Sequence, residues 1–115
     1  MKNTVILVTR AGLGNTPDGD EAFGVEMLDT FFHTLEQQQV KPSAICLYTE
    51  AVTLLKAGSP VLMGLHLLER LGVRIVACKT CLVHYEMGTD IPVGQCGTMV
   101  DIVQLLAEAD KVIRI

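Results

Sequence analysis

The stretch "GVRIVACKTCLVHYEMG", residues 72–88, holds the transition on which the fold turns. Gly72 ends one element, and Val73 to Ala77 form a short apolar run with the β-branched content of a buried strand. That strand delivers the chain directly into Cys78. Cys81 follows two residues later, His84 one helical turn beyond it, and then Gly88. The residues alone leave four readings open: a redox couple, half of a metal site, a sulfur-carrying centre, or small residues buried at a strand end.

Upstream, Ser59-Pro60 is a helix start, a capping hydroxyl followed by proline in the first turn. Val61, Leu62, Leu65, Leu68 and Leu71 give its inner face, and Gly72 stops it. Residues 4–9, "TVILVT", read as a first strand, and residues 43–49, "SAICLYT", as a second, entered past Pro42. The loop at 10–20 carries Gly12, Gly14, Pro17 and Gly19 and so lies outside any helix. A helix is predicted from about Asp20, with Phe23, Met27, Phe31 and Leu35 as its stripe and Leu28 and Phe32 beside them. Residues 50–58 read as a short helical or irregular segment. Downstream, a loop through 89–97 precedes Thr98, which with Asp101 has the spacing of a capping box. The helix that follows is expected to turn Met99, Ile102, Val103 and Leu106 inward, and "KVIRI" forms the last strand.

Alternation of strands and helices makes the chain an α/β three-layer sandwich with a mainly parallel sheet of four to five strands. In such sheets the loops at the carboxyl ends of the strands gather on one edge, where ligands bind. Loops 10–20, 49–58 and 78–97 are expected to meet there.

Composition fits this architecture. The 115 residues suit a single domain, 1–115, and half of them are hydrophobic while aromatics are only 4%, so the core must be aliphatic. Mean hydropathy is +0.41, which points to apolar surface hidden in a homo-oligomer. With 9 basic and 13 acidic residues the net charge is −4, which supplies no phosphate-neutralising surface and excludes a nucleic-acid partner. The apolar run near the N-terminus is too short for a leader or a membrane span, so the expected location is cytoplasmic, with no membrane partner. In a reducing compartment four cysteines favour chemistry or metal binding over structural disulfides.

The glycine loop lacks the third glycine of a dinucleotide fingerprint and the lysine of a phosphate loop, which disfavours a nucleotide. Gly12 and Gly14 remain as backbone contributors to the edge. If the chain turns helical near Thr80, Cys81 lies in a first turn where unpaired amides favour the thiolate. Thr80 would cap that turn, and Lys79 and His84 would tune the thiols. Cys78 would be the more buried of the pair, and Cys96, in the covering loop, could approach as a third thiol. Cys46 reads as a small core residue. Zinc could count Cys78, Cys81, His84 and Cys96 as ligands, but a second CxxC or an HxxxH is missing, and no metal or cofactor is assigned. Thioredoxin-like chemistry is disfavoured, since its CxxC opens a long helix after an earlier strand. His33 and His66 read as solvated residues on polar helix faces.

The chain also resembles the DsrE/DsrF-like family, and within it the DsrE-like C-terminal domain of the YedF-type, sulfurtransferase-like selenium-metabolism proteins. The likeness runs through Gly12 and Gly14, Phe23-Gly24, Gly58-Ser59, Gly72-Val73, the signature Cys78-Lys79-Thr80-Cys81-Leu82, Val93-Gly94 and Met99-Val100-Asp101-Ile102. It covers essentially the whole chain. The resemblance implies a cysteine that accepts sulfur as a persulfide and passes it on, as a sulfurtransferase or a sulfur carrier, with sulfur donor and acceptor proteins as partners. The family's acceptor position falls on Cys78, and the YedF-like signature adds Cys81. The departures are Lys79 where the signature has glycine, Thr49-Glu50-Ala51 where the resembling domains tend to have asparagine and glycine, and Cys96, which has no counterpart. The sulfur-carrier domain of YedF-type proteins is not among these residues, so a partner in trans is expected. The alternative reading is a non-catalytic oligomeric or ligand-binding module with structural or zinc-binding cysteines.

Overall fold

The computed structural model describes residues 3–115; Met1 and Lys2, part of the N-terminal segment read above, lie outside the described residues. Strand β1 (Thr4–Val8) leads through the glycine loop to helix α1 (Glu21–Glu36). Strand β2 (Ala44–Leu47) runs into a 3-10 helix (Thr49–Leu55), and helix α2 (Leu62–Arg70) returns the chain to strand β3 (Arg74–Cys78). Helix α3 (Lys79–His84) follows with no intervening loop, then β4 (Gln95–Gly97), α4 (Met99–Glu108) and β5 (Lys111–Arg114).

The five strands form one all-parallel sheet in the order β4-β3-β2-β1-β5. Register places Val5 beside Ala44, Ala44 beside Arg74, Ala77 beside Cys96 and Leu7 beside Arg114. Strand pleating sends alternate residues to opposite faces. Ile6, Val8, Ile45, Leu47, Ile75 and Ala77 pack under α1, α2 and the 3-10 helix, against Leu28, Phe32, Leu65 and Leu68. Val5, Leu7, Ala44, Cys46, Val76 and Cys78 pack under α4, against Ile102. The central strands are buried on both faces, which is why they read as continuous aliphatic runs.

Three expectations about the helices change. In α1 the buried residues are Gly24, Leu28, Phe32 and Leu35, while Phe23 and Met27 are exposed. Steps of four residues drift about 40° each around a helix, so a strict i+4 series leaves the core face; the true stripe fits three turns into eleven residues. Helix α2 begins at Leu62 instead of the Ser59-Pro60 pair, with the Ser59 carbonyl accepting from Leu62 N–H, and Leu71 is exposed. In α4 only Ile102 is fully buried; Met99 and Val103, expected inward, are exposed, and Leu106 is half-buried. Helix α4 alone covers its face of the sheet among the described helices, so its outer side has no layer above it.

Strand β4 lies where a loop was expected. Its glycine hides it from propensity, and the reason for the glycine is steric: a Cβ on Gly97 would stand 2.6 Å from Val76 Cγ1. The capping box at Thr98 and Asp101 forms as the spacing indicated, with Thr98 N–H donating to Asp101 Oδ2 at 2.8 Å and Asp101 N–H to Thr98 Oγ1 at 3.3 Å. Among the described residues no helix is long and apolar enough to cross a membrane.

Candidate functional site

The three expected loops do meet at the carboxyl edge. Ala11 N–H donates to Glu50 Oε1 at 2.9 Å, joining the first loop to the second. Thr49 Oγ1 donates to the Thr9 carbonyl at 3.0 Å, and Thr49 N–H donates to Cys81 Sγ at 2.9 Å, joining the second to the third.

The Cys-x-x-Cys spacing takes its meaning from the strand-to-helix junction. Cys78 is both the last residue of β3 and the N-cap of α3, with φ −65° and ψ 120°, and Cys81 is the third helical residue. N-cap and N3 side chains meet at helix starts, and the Cys81 thiol makes a hydrogen bond with Cys78. Cys78 is 1% exposed and faces α4; Cys81 is half-buried at the end of the sheet, touching both apolar clusters. Thr80, expected as the cap, is instead an exposed residue inside the first turn, and no side chain caps α3.

The ionisation of Cys81 runs against the sequence expectation. Burial raises its pKa most, the hydrogen bond with Cys78 raises it further, and the Thr49 amide pulls it back only in part. Repulsion from Cys78 also opposes a charge on Cys81, so the pair resists holding two negative charges at once. Lys79 and His84 are not among the groups that shift it. Both are exposed, and the His84 ring packs edge to face on Tyr85 at 4.9 Å and 87°. Cys46 sits in the core as expected, and burial pushes its thiol up to about 11, with Arg74 countering weakly.

Cys96 lies on β4 beside Ala77, on the opposite face of the sheet from Cys78, and shares the α1/α2 cluster with Cys81. No cluster of three or more Cys, His, Asp or Glu able to hold a metal occurs among the described residues. His33 is also not a free surface residue: it is half-buried, with Asp29 Oδ1 at 3.4 Å and Glu36 Oε2 at 3.2 Å from its two ring nitrogens. His66 is exposed as expected.

Sequence reading missed Thr49. Its φ of +52° is unusual for a β-branched residue, and that conformation aims its amide at Cys81. The available signal was the asparagine and glycine that resembling domains tend to carry at this place, the residue types that tolerate positive φ. Gly12, by contrast, serves packing: a Cβ there would lie 3.2 Å from the Gly24 backbone, and Leu13 N–H bonds the Gly24 carbonyl. Gly12 and Gly14 line a cavity of about 390 Å³ with Arg10, Glu21 and Glu50 on its walls; neither Cys78 nor Cys81 lines it.

No family model and no curated protein matches the chain. Among solved structures, the YchN protein of E. coli superposes with a TM-score of 0.68 at 21% identity over 100% of both chains. MTH1491 of Methanobacterium thermoautotrophicum, a protein of unknown function, matches at 0.68 and 21% over 97% of each. BT1422 of Bacteroides thetaiotaomicron, a conserved protein of unknown function, matches at 0.64 and 17% over 98% of this chain and 95% of its own. At these identities the likeness is one of fold.

Proposed function

We propose that the chain is a sulfur carrier of the DsrE-like kind, taking one sulfur atom onto Cys81 as a persulfide and handing it to an acceptor protein. The observation that carries this reading is the Thr49 amide on the Sγ of the accessible member of a thiol pair whose other member is sealed beneath α4. A backbone donor at 2.9 Å stabilises charge on sulfur, both on the attacking thiolate and on the persulfide.

Loading is a thiol exchange. The Cys81 thiolate attacks the outer sulfur of a donor persulfide, the donor S–S bond breaks, and the donor leaves as a thiolate that takes up a proton. Attack by an acceptor thiolate on the outer sulfur of Cys81–S–SH reverses the bookkeeping. Cys78 offers a second exit: its thiolate attacks the inner sulfur, forming the Cys78–Cys81 disulfide and expelling hydrosulfide, after which an external thiol must reduce the pair. The raised pKa of Cys81 keeps the resting site largely protonated at neutral pH. Lys79 and His84 stand at the exposed rim, where they would meet a protein partner. The apolar outer side of α4, with Met99, Val100 and Val103 exposed, supports assembly with a second copy of the chain.

The test is intact-mass spectrometry of reduced protein after exposure to inorganic polysulfide. Wild type and Cys78→Ser gain one sulfur atom, and Cys81→Ser gains none. Absence of any gain, in protein whose circular dichroism is unchanged, would sink the reading.

A further inference from the structure

The crevice walled by the first two edge loops has a charge layout that the carrier reading does not require. Arg10 follows β1, Glu50 lies just past β2, and Cys78 ends β3 with Cys81 one turn on. These strands are neighbours in the sheet, about 4.8 Å apart from one to the next. The edge therefore presents a cation, a carboxylate and a thiol in that order. Arg10 and Glu50 line a cavity of about 390 Å³, large enough for a ligand of amino-acid size; neither cysteine lines it, and Thr49, next to Glu50, joins its rim to Cys81 through the 2.9 Å amide bond. The cavity adjoins the crevice between β1 and β5, where the strand order reverses, the usual ligand position in open parallel sheets.

Neither charge is consumed by the other, as no ion pair between Arg10 and Glu50 forms among the described residues. Arg10 spends Nη1 on the Gly14 carbonyl and Asn15 Oδ1, which fixes the guanidinium in place and leaves its Nε and Nη2 donors. Glu50 spends Oε1 on Ala11 N–H and keeps Oε2. Glu21, also on the cavity wall, adds a second carboxylate, its pKa lowered by its own backbone N–H and that of Gly19. A purely anionic or purely cationic ligand would leave one side of this crevice facing like charge. A zwitterion leaves neither.

We infer that this crevice binds an α-amino acid bearing a thiol or persulfide, its carboxylate on Arg10 and its ammonium on Glu50, with its sulfur directed past Thr49 toward Cys81. This rests on the carrier reading and names the donor's class: an amino-acid persulfide. The Cys81 thiolate attacks the ligand's outer sulfur, the ligand's S–S bond breaks, and the amino-acid thiol departs after protonation. Nothing is oxidised overall, since one persulfide replaces another.

Binding is measured by calorimetry on the Cys78→Ser/Cys81→Ser double variant, where no exchange can occur, with L-cysteine, cysteamine and 3-mercaptopropionate as probes. L-cysteine binds saturably, and loss of its carboxylate or its amine weakens binding at least tenfold. Arg10→Gln weakens L-cysteine and 3-mercaptopropionate but not cysteamine; Glu50→Gln weakens L-cysteine and cysteamine but not 3-mercaptopropionate. Equal binding of all three probes, or no saturable binding of L-cysteine, overturns the inference. Polysulfide loading of wild type separates the two ideas. Loading without L-cysteine binding defeats the amino-acid site alone, and binding without loading defeats the carrier reading and its transfer step.

Discussion

Two strand-to-helix junctions in this protein use one spacing for opposite ends. At β4 to α4, Thr98 and Asp101 occupy the N-cap and N3 positions and bond each other reciprocally. At β3 to α3, Cys78 and Cys81 occupy the same two positions, and no side chain caps the helix. Oxygen acceptors satisfy the helix amides, so the first pair is closed and Asp101's carboxyl is held below the ordinary carboxylate range by the Thr98 amide and hydroxyl. Sulfur accepts weakly, so the second pair turns to itself and to the Thr49 amide of another element, and Cys81 shifts upward. The same local geometry makes a closed capping pair with oxygen and an uncapped thiol pair with sulfur.

The largest effect expected to sharpen this contrast comes from Cys78→Ala. It removes the hydrogen bond and the like charge that raise Cys81, so its titration midpoint falls. Alkylation of Cys81 by iodoacetamide, followed against pH, then accelerates at neutral pH because more of the thiol is ionised. Wild type should instead keep accelerating as pH rises beyond the ordinary thiol range. A profile unchanged by the substitution breaks the coupling between the two thiols.

Thr49→Val has a smaller, mixed effect. It removes the Oγ1 bond to the Thr9 carbonyl that helps hold a β-branched residue at positive φ. Polysulfide loading of Cys81 slows several-fold, and urea denaturation shows a loss of about 1 kcal/mol. Unaltered loading would mean the backbone holds its conformation without that tether.

Thr98→Ala completes the comparison from the other junction. It costs about 1 kcal/mol of stability by loss of the cap and leaves sulfur loading as in wild type. The acid dependence follows from sign. Asp101's folded-state pKa lies below its unfolded value, so its contribution is present above the ordinary carboxylate range and is lost as pH falls through the folded value. Thr98→Ala flattens this acid limb in denaturation at low pH. A loss of loading in Thr98→Ala would show that the two junctions are not independent.

The capping box was legible in sequence because its chemistry is local: four residues contain both donors and both acceptors. The central strands were legible because burial on both faces leaves apolar runs at 5–8, 44–47 and 75–78. Burial of Cys78 and partial exposure of Cys81 followed from their order after β3. The α1 stripe was misplaced by one residue because Phe23-Met27-Phe31 and Leu28-Phe32 run side by side, and only packing against Gly64 and the sheet chooses between them. β4 was not legible: three residues carry too little pattern, and the glycine that marks it answers to Val76 on another strand.

The candidate site divides along the same line. By itself the sequence determined an α/β chain whose third long strand ends in a cysteine, with a second cysteine one turn into the next helix, since propensity, periodicity and spacing act over a few residues. Only the tertiary structure decided that Cys96 turns to the face opposite Cys78, that burial and the Cys78 contact outweigh any help to the Cys81 thiolate, and that the missing donor is Thr49. The first and last of those outcomes depend on residues 19 to 32 positions away in the chain, brought to one edge by parallel strand pairing, and no local pattern encodes such a meeting.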